Sequence, residues 1–294
     1  MSLIACAAVS VALSSCGGGG GGGPDVEPPV ISAGPSATSL TNVSASIEWT
    51  TDRLCDGRVR YGKTTSYTDS VVVSDPKLNH AIPLAGLAQA TTYHYRVASA
   101  DEGGLKVTSS DRTFSTLSNA QQLVKEGWAL FDGGLTSSAL SKFEEAGSYE
   151  PHSVAVLEGL GWCYLKLYRL EESRAKFEEA LSLSPARVDC LVGAALAYSA
   201  LGLCDRVIPA VGSALSAAGD SYVFAHDSDV TSSDVRFCRL VCLAASGDFA
   251  GALSDAKVID PTIDLDENDP STWDPYSTFE EAMLAMIESL RSQV

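Results

Sequence analysis

The chain has 294 residues, 45% of them hydrophobic and 19% charged, with a formal net charge of −17. That length supports two domains with separate cores, and the surplus acid argues against a nucleic-acid partner, which needs clustered Lys or Arg against phosphate. The acid is unevenly spread, since 27 of the 37 Asp and Glu residues fall in 118–294.

Residues 1–16 are a short apolar and small-residue run ending in Leu13-Ser14-Ser15-Cys16, followed by the glycines Gly17 to Gly23. A stretch this short cannot cross a hydrocarbon core about 30 Å thick as a helix, so it reads as an export signal and not as an anchor helix. No Lys or Arg precedes it, which points to a native start upstream of Met1. The ending resembles a bacterial lipobox. That resemblance implies lipid on the Cys16 thiol, a Gly/Pro tether over 17–28, and a place in the bacterial cell envelope on the membrane surface. An ordinary cleaved signal followed by a linker is the alternative.

Residues 29–117 alternate with a period of two. Ser44 to Trp49, Arg58 to Tyr61, His80 to Leu84 and Tyr93 to Val97 read as strands separated by Gly-, Asp-, Thr- and Ser-rich turns. The segment Leu87 to Val97, with Ile47 and Trp49 upstream, resembles the fibronectin type III family. The resemblance implies a two-sheet β-sandwich in which Trp49 is the core tryptophan and Tyr93 the corner tyrosine tied to nearby backbone. Gly57 to Thr64 also satisfies the spacing of a phosphate-binding loop. Its spacer residues alternate as a strand, and Val71-Val72-Val73 continues as strand where a helix is required, so no nucleotide site is expected.

Residues 118–294 read as all-helical. Three copies of a 34-residue unit align Leu123, Leu157 and Leu191; Gly127, Gly161 and Ala195; Phe143, Phe177 and Val211; and Pro151, Pro185 and Gly219. Small residues fall where helices touch, large ones where they interdigitate, and Pro or Gly where the second helix stops. The pattern predicts helix pairs 119–132 with 136–149, 153–167 with 171–183, and 187–201 with 204–217. An insertion after Gly219 delays the fourth pair by eleven residues, and its segment Tyr222 to Asp227 could pack over one mouth of the array. Ser277-x-x-Glu280 reads as a capping box opening a last helix to about residue 292. The repeat is similar to the tetratricopeptide family, which implies an α-solenoid that binds partners along its inner groove.

Helical register argues against Cys190–Cys204, at opposite ends of a pair, and against Cys238–Cys242, one turn apart on one helix. The cysteines beyond the signal are therefore expected to be mainly small core residues. Trp128 and Trp162 share one repeat position, which the resemblance places on the inner groove, with Phe131, Leu165 and Leu196 beside it. These five residues form the candidate peptide groove, with burial of the tryptophans by the array itself as the opposing reading. Val124, Glu158 and Val192 stand where the family's carboxylate clamp needs cations and Asn, so chaperone-tail binding is not expected. The run Asp264 to Asp269 lacks the Gly and the final Glu of a calcium loop, and His226, Asp227 and Asp229 have no further ligand in view. No metal, cofactor or catalytic constellation is expected. The sequence thus describes a non-catalytic envelope lipoprotein and scaffold for a protein or peptide. A glycan-binding surface lipoprotein is the alternative, and an enzyme of unrecognised class a third reading.

Overall fold

The computed structural model describes residues 27–291. The expected signal, Cys16 and most of the tether lie outside the described residues. Six strands come first: β1 (Ile31–Thr38), β2 (Ser44–Gly62), β3 (Asp69–Ala85), β4 (Thr92–Ala100), β5 (Lys106–Thr108) and β6 (Arg112–Ser115). Helices α1 (Asn119–Asp132), α2 (Thr136–Tyr149), α3 (Val154–Lys166), α4 (Leu170–Leu183), α5 (Val188–Ala200) and α6 (Cys204–Ala218) follow. A hairpin of β7 (Val223–Phe224) and β8 (Asp227–Thr231) then precedes α7 (Ser232–Ala245), α8 (Phe249–Ile259) and α9 (Phe279–Leu290). The chain divides into two compact units, one holding most of the sheet, the other the helices together with 37–46, 83–94 and 113–117.

The strands form one curled sheet in the order β1-β2-β4-β5, with β3 on β2 and β6 on β4, where two facing sheets were expected. The difference originates in β2. Burial alternates through Thr50 to Asp56, where a turn was expected, so Ser44 to Trp49 and Arg58 to Tyr61 belong to one strand of 19 residues. A strand has two edges, yet β2 has three partners; its two halves pair differently and the sheet bends along it. The features behind the sandwich expectation are present locally. Trp49 is buried, stacks on His80 with ring centroids 4.5 Å apart, and donates from Nε1 to Ser99 Oγ at 2.9 Å. The Tyr93 hydroxyl accepts the Ala88 N–H at 2.9 Å. Gly57 to Gly62 lies within β2 and the chain turns into β3 after it, so the phosphate-loop spacing has no helix behind it.

Helices α1 to α8 form four antiparallel pairs, the first three within two residues of the spans read from the repeat. The first helices α1, α3, α5 and α7 touch their successors in a row, while the second helices have no contact of that extent with one another. Such a row curves, with the first helices on its inner side. Its core has a repeating element. Phe143 and Phe177 are fully buried, and each ring lies between two glycines of successive first helices. A Cβ on Gly127 or Gly159 would meet the Phe143 ring at 2.8 or 2.2 Å, and one on Gly161 or Gly193 would meet Phe177 at 2.7 or 2.2 Å. In the third copy Ala195 replaces the glycine and Val211 the phenylalanine, so volume moves from knob to socket and packing is conserved.

The turn inside each pair is also one structure used four times. The N–H groups of Leu135, Arg169, Leu203 and Asp248 donate back five residues to Leu130, Tyr164, Tyr198 and Leu243 carbonyls. That closure puts the preceding residue in the left-handed region: Gly134 (φ 75°), Tyr168 (57°), Gly202 (72°) and Gly247 (83°). At the far end α9 packs on α7 and α8, burying Phe279, Met283, Ile287 and Leu290. Its cap lies one residue later than expected. Thr278, not Ser277, accepts the Glu281 N–H, and both positions fit the same Ser/Thr-x-x-Glu pattern.

One cysteine pairing departs from expectation: Cys204 and Cys242 form a disulfide with Cα atoms 5.1 Å apart. The start of α6 lies beside the end of antiparallel α7, a neighbour relation between successive pairs that the insertion obscures in the sequence. Cys55, Cys163 and Cys190 are free and buried, and Cys238 is free and half-buried. Burial pushes the Cys163 thiol up to about 12.

Gly159→Ala is expected to destabilise the array by about 1–3 kcal/mol, because the new methyl overpacks a fully buried ring. Gly212→Ala, on α6 with nothing within 4 Å of its added Cβ, is expected to stabilise it by up to about 1 kcal/mol through helix propensity alone. Urea denaturation of both variants measures the contrast; equal shifts in the midpoint would refute the knob-and-socket account.

Candidate functional site

The inner row of first helices is covered by the inserted hairpin. Phe224 is buried and stacks on Trp162 with centroids 4.0 Å apart and planes at 16°; it meets Trp128 edge-on at 6.0 Å. His226 lies flat on Trp128 at 4.0 Å, and its Nδ1 is 2.8 Å from Asp132 Oδ1. Asp227 pairs with Lys166, and the Tyr222 hydroxyl donates to Asp189 Oδ1 at 2.7 Å. Tyr222 to Asp227, expected over one mouth of the array, lies instead in the groove, docked on α1, α3 and α5.

This arrangement corrects the candidate groove. Trp162 is 0% exposed, sealed between Phe177 and Phe224, and Phe131 is buried as well; neither offers a free binding face. Trp128 is half-buried beneath His226. The physical reason is cover: adjacent indoles on one face leave a large apolar surface, and the insertion supplies a ring that removes it from water. Leu165 and Leu196 remain half-buried and accessible. Together with Tyr168, Leu170 and Val230 they line an open, largely apolar pocket of about 270 Å³.

Tyr168 on the rim of this pocket is unusual twice over. It is 87% exposed, and it holds the left-handed turn position that glycine fills in the other pairs. A non-glycine residue there costs of order 1 kcal/mol, and a large exposed ring adds nothing to folding. The sequence contains the signal, a Tyr in register with Gly134 and Gly202.

Beneath the hairpin runs a polar network. Glu158 is 3% exposed on α3, held by Arg187 Nε at 2.8 Å, with Asp189 also 3.7 Å from Arg187. Burial raises the Glu158 carboxyl above its ordinary value, with Arg187 opposing that rise. Burial, reinforced by Asp189, likewise raises the Tyr222 phenol, which therefore stays protonated and keeps donating. The position that the chaperone-tail clamp would need as a cation is thus a buried acid committed to internal bonding.

The other sequence candidates serve structure. His226 and Asp227 contact different helices, α1 and α3 respectively. Asp266 and Asp269 are taken up by their own loop, where Trp273 Nε1 donates to the Asp266 carbonyl at 2.7 Å and Asp269 accepts from Ser271. Among the described residues no group of three or more His, Cys, Asp or Glu is placed to hold a metal ion. None of the described helices is long and apolar enough to cross a membrane. Trp49, read as the core tryptophan, is buried against His80.

Residues 154–187, spanning α3 and α4, match the tetratricopeptide repeat family, so a repeat of that type is present. Solved structures similar to the helical part include MamA, 17% identical with a TM-score of 0.41, covering 48% of this chain and 71% of that one. A tetratricopeptide repeat protein from Parabacteroides merdae is 17% identical, with a TM-score of 0.41 and coverage of 60% and 61%. YrrB, described as a tetratricopeptide protein with an unusual peptide-binding site, is 18% identical, with a TM-score of 0.45 and coverage of 59% and 87%. No curated protein matches the sequence. The chain joins an N-terminal sheet to C-terminal helical repeats that resemble a tetratricopeptide solenoid.

Tyr168→Gly is expected to raise stability by about 1 kcal/mol by relieving the left-handed strain, and Gly134→Tyr to lower it by a similar amount. Thermal unfolding of the two variants against wild type checks this. A Tyr168→Gly protein no more stable than wild type would mean that the turn carries no strain.

Proposed function

We propose that the chain is a non-catalytic scaffold of the bacterial cell envelope, held to a membrane by lipid on Cys16, that binds a protein or peptide partner through its inner helical row. The observation that carries this reading is Tyr168: an exposed ring kept in a glycine conformation beside an open apolar pocket. An aromatic projecting next to a pocket is the form taken by energetic centres of protein interfaces. Repeat arrays present such surfaces on their inner side, and tetratricopeptide arrays generally act by binding. The sheet, with its core tryptophan and corner tyrosine, we read as a fibronectin-like spacer between tether and array.

A photo-crosslinking amino acid at position 168, in the full chain expressed in a bacterial envelope, is expected to capture a protein of defined mass. The same group at Tyr149, which is also exposed, on α2, is expected to capture none, and Leu196→Asp to reduce the position-168 adduct at least tenfold. Adducts that are identical at both positions, or that survive Leu196→Asp in a folded protein, would remove the pocket from the proposal. For the anchor, metabolic labelling with a palmitate analogue should mark wild type and not Cys16→Ala; equal labelling refutes lipidation there.

A further inference from the structure

The hairpin that covers the groove is held as a ligand is held. Successive pairs elsewhere are joined by four residues, 150–153 and 184–187, whereas thirteen, 219–231, separate α6 from α7. The array does not need the extra length, because α6 and α7 pack directly as neighbours. The hairpin has little structure of its own: β7 has two residues, β8 five, and their register is irregular. Its hold comes from side chains docked on three first helices. Phe224 fills the Trp162 slot, His226 covers Trp128 and meets Asp132, Asp227 meets Lys166, and Tyr222 meets Asp189. The fit is incomplete, since the buried Trp162 indole N–H has no acceptor among the described residues. An occupant bringing a carbonyl to that point would fit better.

We propose that the hairpin is a tethered stand-in for the true ligand: a peptide that turns back on itself and bears an aromatic side chain and, three residues later across the turn, a carboxylate, placed as Phe224 and Asp227 are paired here. The aromatic enters the Trp162 slot, the carboxylate takes Lys166, and the hairpin leaves. This rests on the reading of the inner row as the partner site and names the chemistry of that partner. It also makes the groove self-inhibited. A tethered competitor acts at a high effective concentration, and apparent affinity falls in proportion to the closed fraction. A segment with so few backbone hydrogen bonds can open without unfolding the helices beneath it.

The test uses the full purified chain and a fluorescein-labelled peptide copying residues 221–231, followed by anisotropy. Phe224→Ala, which empties the slot, is expected to bind the peptide at least tenfold more tightly than wild type. Asp227→Lys opposes Lys166 with like charge and leaves the slot's volume intact, so it guards against collapse of the emptied core. It should show the same gain. Replacing Phe by Ala, or the first Asp by Asn, in the peptide should abolish or weaken binding at least tenfold. Circular dichroism verifies that both variants keep their helices. If neither folded variant gains affinity, the tethered-ligand proposal is wrong. Should crosslinking at position 168 persist in that case, the partner site survives without it; should crosslinking also fail, both readings fall together.

Discussion

The helical array depends on one repeated contact, a phenylalanine ring inserted between two glycines on successive first helices. Phe143 and Phe177 are the knobs, and the absent side chains at positions 127, 159, 161 and 193 are the sockets. Each ring joins the two helices of its own pair to the first helix of the next, so the same atoms define pair and stack. Burying such a ring contributes about 1.5–3 kcal/mol, and the close approach it permits brings the first helices into mutual contact. Curvature follows, because nothing comparable draws the second helices together.

Close approach has a consequence for the inner surface. The residue after the socket glycine faces inward, and in two copies it is tryptophan, so Trp128 and Trp162 rest against the edges of Phe143 and Phe177. Two indoles on a concave face are a large apolar area to leave in water. The inserted hairpin covers them with Phe224 and His226, and the cover is anchored at its flanks by charge and hydrogen bonding to Lys166, Asp132 and Asp189. What stays open is the adjacent pocket under Tyr168. Groove, cover and pocket thus derive from one packing decision made at the glycines.

Much of the fold was legible because helical repeats are local. A 34-residue period specifies which residues face each other, and the pair boundaries, the turns and the delayed fourth pair could be read from it. The sheet was less legible. Alternation marks strands, but whether Thr50 to Asp56 turns or continues is decided by which strands β2 can reach, a non-local matter. The candidate groove was legible in its location and not in its state. Trp128, Phe131, Trp162, Leu165 and Leu196 do gather on one side of the array, yet Trp162 is sealed by Phe224 and Trp128 is covered by His226, both from outside the repeat.

The sequence by itself determined the helical repeat, the division into a sheet and an array, the position of the insertion, and the apolar character of the inner row, since each is written in spacing along the chain. Only the tertiary structure decided that the insertion lies in the groove, that Cys204 meets Cys242, that Tyr168 occupies a glycine conformation, and that β2 runs unbroken through the curled sheet. Periodicity constrains neighbours a fixed distance apart, whereas an insertion, a disulfide across successive pairs or the choice of strand partners depends on which distant surfaces meet. Those meetings are settled by the burial that each offers.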